Sequence, residues 1–134
     1  MKLKHLATGA EILLPDDLQW VDEHAWTPVA QSASRLIDGA LLVETAVKKK
    51  GRPITLRSPS EDMAWLPFSA VKTLHEWAEI EAAQFELTYR DGRTFTVIMA
   101  HDGQSSAVEA VPLKGFPARA DDEPFGLTLR LMEV

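Results

Sequence analysis

Four histidines, His5, His24, His75 and His101, are the natural starting point for catalysis or metal binding, and none is spaced for a metal site. His75 falls in a helical stretch with no Asp or His four residues on; Glu79 is its helix-surface neighbour. His101-Asp102-Gly103 reads as a turn after a strand. The densest group of oxygen and nitrogen ligands is Asp16, Asp17, Asp22, Glu23 and His24. It lacks the alternating ligands and glycine of a calcium loop, so it reads as a solvated loop. Serines are plentiful (Ser32, Ser34, Ser58, Ser60, Ser69, Ser105, Ser106), yet no G-x-S-x-G elbow occurs. Neither glycine-rich phosphate motif is present. The chain has no cysteine, which excludes a disulfide scaffold, a thiolate zinc site, an iron–sulfur cluster and a thiol nucleophile. The expectation is a non-enzyme with no metal and no cofactor.

Charge points elsewhere. The 134 residues carry 14 Lys plus Arg against 20 Asp plus Glu, a net charge of −6. Lys48-Lys49-Lys50 with Arg52 is the single basic cluster, and Arg57 adds charge farther along. It reads either as a solvated hairpin tip or as an arm that docks on an acidic surface of a neighbouring copy. Head-to-tail contacts of that kind close into rings or stack, and charge matching sets their register. Glu76, Glu79, Glu81 and Glu86 supply acid for such a contact. The net acidity, and the lack of aromatics interleaved with the lysines, argue against specific nucleic-acid binding. No apolar run approaches the ~18 residues that cross a bilayer, and Met1 to Leu6 has no apolar stretch after its charges, so neither membrane nor secretion is expected. Of four tryptophans, Trp77 belongs to a helix stripe and Trp65 is placed to cap a barrel. Trp20 and Trp26 serve either as interface anchors or as cover for the barrel's end.

The elements that must position these residues are mostly strands. With 46% hydrophobic residues and no linker or repeat, residues 1–134 read as one domain. Ala10–Leu14 is a short apolar segment stopped by Pro15. Thr27–Ile37 is extended in character, and Asp38-Gly39 is a turn. Ala40–Val47 and Arg52–Arg57 flank a short Gly51-containing loop and predict a β-hairpin with the lysines at its tip. Pro53 belongs at a strand start or a sheet edge. Ala70, Val71, Leu74, Trp77 and Ala78 form one apolar stripe, predicting a helix over 69–81 with Ser69 as N-cap.

Phe85, Leu87 and Tyr89 alternate, as do Phe95, Val97 and Met99. A two-residue Asp91-Gly92 loop would put these rows on opposite faces. A three-residue Arg90-Asp91-Gly92 loop pairs Tyr89 with Arg93 and Leu87 with Phe95, aligning both rows, with Gly92 left-handed. Ala107–Leu113 is a further strand broken by Pro112, 115–124 is a polar loop, and Phe125–Val134 alternates to the end. The predicted class is mainly β: an antiparallel sandwich or split barrel of about seven to nine strands with one packed helix.

Several segments together carry a resemblance. Val29-Ala30-Gln31-Ser32 leads through Asp38-Gly39-Ala40-Leu41 into Gly51-Arg52-Pro53-Ile54-Thr55-Leu56. A Trp-containing segment and one helix follow, then Asp91-Gly92-Arg93-Thr94-Phe95-Thr96-Val97. From Pro15 onward this order resembles small tail proteins of long-tailed bacteriophages and prophages, of the tail-tube, distal-tail and baseplate-hub type. The resemblance implies a β-module without a catalytic centre that assembles with itself, in rings or hexamers, and with other tail or baseplate proteins. It implies a place in the virion tail, and in the host bacterial cytoplasm during assembly. Lys48–Arg52 would then be an inter-subunit arm. The alternative is a cytoplasmic β-barrel binding module, such as an assembly chaperone or adaptor.

Overall fold

The C-terminal segment Pro124–Glu133 alternates buried Phe125, Leu127, Leu129 and Leu131 with half-buried Gly126, Thr128 and Arg130. A period of two with one apolar row makes a strand whose inner face lies on the core. This strand organises the fold. The computed structural model describes residues 1–48, 50–101, 106–114 and 120–134. In chain order the elements are β1 (Lys2–His5), β2 (Glu11–Leu13), β3 (Gln19–Trp20), β4 (Val29–Arg35), β5 (Leu41–Val47), β6 (Pro53–Arg57), β7 (Leu66–Pro67), α1 (Phe68–Ala78), β8 (Phe85–Thr88), β9 (Thr94–Met99), β10 (Val108–Pro112) and β11 (Pro124–Glu133).

The main sheet runs β2-β1-β8-β9-β11-β6-β3, with β10 and β7 also paired to β11. One edge of β11 receives β10 at residues 125–129 and β9 at residues 131–133. The other receives β7 at residues 124–125 and β6 at residues 128–132. Ala100 donates to the carbonyl of Arg130, and Arg130 donates to that of Ala107, where β9 gives way to β10. All pairings are antiparallel, and the sheet does not close into a barrel. The predicted mainly β class with one helix therefore holds. Eleven strands are found among the described residues, above the seven to nine expected. Two of them, β3 and β7, are two-residue pieces too short to leave a periodic signal.

The helix spans 68–78 rather than 69–81, and Pro67, not Ser69, occupies the cap position without a side-chain bond. A loop does the capping: the amides of Phe68 and Ser69 donate to the carbonyls of Glu123 and Asp121. Ser69 is thereby drawn into the first turn, where its own carbonyl accepts from the Thr73 hydroxyl at 3.1 Å. The helix ends when Glu79 and Ile80 bond back to residues 76 and 77, tightening the last turn. Val71, Leu74 and Trp77 are its buried stripe. They join Leu3, Leu18, Ile54, Leu56, Phe85, Leu87, Val97 and the β11 row in one core. Fully burying an aliphatic or aromatic side chain contributes about 1.5–3 kcal/mol each, so this cluster holds the body together.

The 85–99 hairpin has the register expected of it: Phe85 faces Val97 and Leu87 faces Phe95. Tyr89 donates to Arg93, Gly92 donates to Tyr89, and Gly92 has φ +92°. Pro53 opens β6, as expected. The hairpin predicted between 40–47 and 52–57 does not form. β5 pairs instead with β4, in a separate two-stranded sheet, while β6 pairs with β11 and β3. The buried β6 residues, Ile54 and Leu56, belong to the core, whereas β5 has none. The 115–119 part of the polar loop lies outside the described residues.

Candidate assembly interface

β4 and β5 form an arm joined by Ile37-Asp38-Gly39. The turn repeats the design of Arg90-Asp91-Gly92. Leu36 donates to Ala40, Gly39 donates to Leu36 with φ +85°, and the Asp38 carboxylate accepts from the Ala40 amide at 2.9 Å. At the other turn Asp91 accepts from Arg93 in the same way at 3.1 Å. The motif x-Asp-Gly between equal extended runs is thus a readable hairpin signal in both places.

All fourteen strand residues of the arm are exposed, on both faces. Seven residues of strand reach roughly 24 Å. Exposed apolar side chains accumulate: Val29, Leu36, Ile37, Leu41, Leu42, Val43 and Val47, with Ile37 fully exposed at the tip and Val47 at 72%. A lone two-stranded hairpin is at best marginally stable in water, and exposed apolar side chains gathered on one element are a common feature of interaction surfaces.

At the root, Lys48 donates its amide to Pro28 at 2.7 Å. Its ammonium lies 5.5 Å from the ring of half-buried Trp26. Arg52 is inserted among aromatics: its guanidinium carbon is 4.7 Å from Trp20, 5.6 Å from Trp26 and 6.0 Å from Phe95. It also donates to the carbonyl of Glu23 at 3.4 Å. Arg93 covers Trp20 at 5.5 Å and Tyr89 at 5.3 Å, and bonds the Glu23 carboxylate at 2.8 Å. Bonds to Glu23 and then Asp91 raise the Arg93 pKa above its ordinary value. Asp91 is held below the usual carboxylate value by the Arg93 backbone amide first, and by the Arg93 side chain as well.

The six predicted interface residues therefore separate. Lys48 and Lys50 are exposed at the root of the arm rather than at a hairpin tip. Lys49 lies outside the described residues. Arg52 is a half-buried clamp. Trp20 is 4% exposed and belongs to the core, edge-on to Tyr89 and Phe95. Trp26 joins arm to body. Sequence reading missed the arm itself, residues 29–47, although Asp38-Gly39 signalled its turn.

Several of the candidate chemical residues have structural duties, while the Asp102-Gly103 turn and Ser105 lie outside the described residues. His5 is buried between Trp77 and Phe85, with Nδ1 accepting from the Thr8 amide. His101 Nδ1 accepts from the Ala107 amide, and its Nε2 lies 3.1 Å from the Ala78 carbonyl. The Ser58 hydroxyl donates to Ala64 and accepts from the Leu127 amide. Asp17 and Asp22 bind backbone amides of Ala64 and Thr55. Among the described residues no three His, Cys, Asp or Glu side chains converge as metal ligands, and no helix is long and apolar enough to cross a membrane. Compared with known proteins, the chain matches no family model, no curated protein and no solved structure.

Proposed function

We propose that this protein is a non-catalytic assembly component that joins copies of itself through the β4–β5 arm. A subunit of a phage or prophage tail or baseplate, in contact with neighbouring tail proteins, is the setting in which we place it. One observation carries the reading: a fourteen-residue ladder, exposed on every residue, projects from a body that has its own complete core. Such an arm costs chain entropy and contributes no buried residue to its own subunit. A contact outside the subunit gives it a use. The resemblance of the chain to tail proteins agrees with that use, although the segment that projects is 29–47 and not 48–57. Electron microscopy of the concentrated protein tests the proposal. Ordered rings, tubes or paired particles are expected from the intact chain and not from one in which 29–47 is replaced by Asn-Gly. Dispersed single particles from both would overturn it.

A further inference from the structure

The ladder of the arm decides which backbone groups face outward. Pro28 with Lys48, and Leu36 with Ala40, are hydrogen-bonded pairs. Bonded and non-bonded pairs alternate along an antiparallel ladder. The N–H and C=O groups of Val29, Gln31, Ala33 and Arg35 therefore point away from β5. Those of Leu41, Val43, Thr45 and Val47 point away from β4. The two edges differ in chemistry. The β4 edge carries an arginine and a glutamine. The outward residues of β5 are all aliphatic or β-branched, with no charge and no proline, so this edge lacks the features that keep strands apart.

We infer that β5 pairs antiparallel with β5 of a second copy, centred on Val43, so that two arms merge into a four-stranded sheet across a two-fold axis. The inference rests on the arm-docking reading above. Register follows from charge and apolar matching. Centring the axis on Glu44 would oppose two carboxylates, a destabilising pair. Centring it on Val43 sets Val43 against Val43 and Leu41 against Thr45, with about six backbone bonds. It also brings the acidic tip, Asp38, opposite Lys48 of the other copy at the basic root. An edge that is self-complementary in this way closes on itself as an isologous dimer.

Three variants test the pairing. Val43→Pro removes an outward N–H and leaves the bonded pairs within the arm intact; Ala33→Pro does the same on the β4 edge. Light scattering should show V43P weakening association at least about 100-fold, while A33P behaves as the intact chain. Because the chain has no cysteine, a single Val43→Cys can cross-link only with itself. Facing residues of a bonded pair lie ~5.5 Å apart at Cα, within the range of a disulfide. V43C should give a covalent dimer on oxidation, and Ala33→Cys should not. Association unchanged in V43P, or cross-linking by A33C in place of V43C, overturns the β5 pairing. If V43P associates normally while excision of 29–47 abolishes association, the edge assignment fails and arm docking stands. Association that survives excision, or an intact chain that stays monomeric, overturns both.

Discussion

Arg52→Ala should destabilise the folded body, whereas Lys50→Ala, two residues away in the same basic cluster, should not. The guanidinium is stacked 4.7 Å from the Trp20 centroid and lies within reach of Trp26 and Phe95. A partly desolvated cation–π contact is worth about 1 kcal/mol. The bond to the Glu23 carbonyl is long at 3.4 Å, and is worth about 0.5 kcal/mol. Loss of methylenes packed on the indole adds roughly 0.5–1 kcal/mol. The sum is about 2 kcal/mol. A domain of this size loses about 3–4 °C of Tm per kcal/mol, so the melt should fall by about 7 °C. Lys50 is exposed, and its removal should stay within about 0.5 kcal/mol. Arg52→Lys keeps the charge without the planar stack, and should fall between the two. Thermal melts followed by circular dichroism, on all three variants at one concentration, provide the comparison. Equal melts for R52A and K50A would refute the clamp.

Gly39→Ala and Gly92→Ala sit in matching turns at φ +85° and +92°, with open space for a Cβ at both, so backbone strain of about 1 kcal/mol is the whole effect. G92A should lower the body's Tm by about 3–4 °C. G39A should leave it unchanged and loosen only the arm, read as faster amide exchange at Ala40. The lowered pKa of Asp91 means that its contribution is present above the ordinary value of 3.8 and is lost as pH falls through the depressed value. Amide exchange at Arg93 should therefore accelerate in strong acid, beyond its intrinsic pH dependence, and Asp91→Asn should abolish that extra acceleration. Lys48→Glu with Lys50→Glu should weaken association by about tenfold through repulsion from acidic neighbours, with circular dichroism unchanged. An unaltered association constant would remove charge from the account of the contact.

Much of the body was legible because each buried row has its own period. The Phe85–Met99 register follows from two apolar rows that must share a face, and the β11 alternation and the helix stripe are equally local. The cap was not legible, since the loop that satisfies the helix amides, at Asp121 and Glu123, lies far downstream of Phe68 and Ser69. β1 escaped notice for a related reason: in Lys2-Leu3-Lys4-His5, only Leu3 announces an inner face, and His5 is buried by Trp77 and Phe85 from distant segments. Pairing was the larger difficulty for the arm. Leu41–Val47 is apolar enough for a core strand, and alternation cannot distinguish a strand that pairs forward to β6 from one that pairs back to β4. The x-Asp-Gly turn could have decided it, because the same three-residue loop geometry fixes both hairpins. Trp20 and Trp26 lie in one acidic stretch and look alike in sequence. β3 pairing with β6 buries the first, while the second stays half-exposed beside the arm.

On the proposed function, the arm serves contacts between copies and not the fold of its own subunit. Pro28 and Lys48 are a bonded pair, so a two-residue Asn-Gly link in place of 29–47 closes the gap without strain. The mass of the intact and arm-excised chains should be measured by light scattering across a hundredfold range of concentration, each beside its thermal melt. The intact chain should associate with rising concentration, and the excised chain should stay monomeric with a Tm within about 4 °C of the intact one. An excised chain that unfolds, or one that associates as the intact chain does, would contradict it.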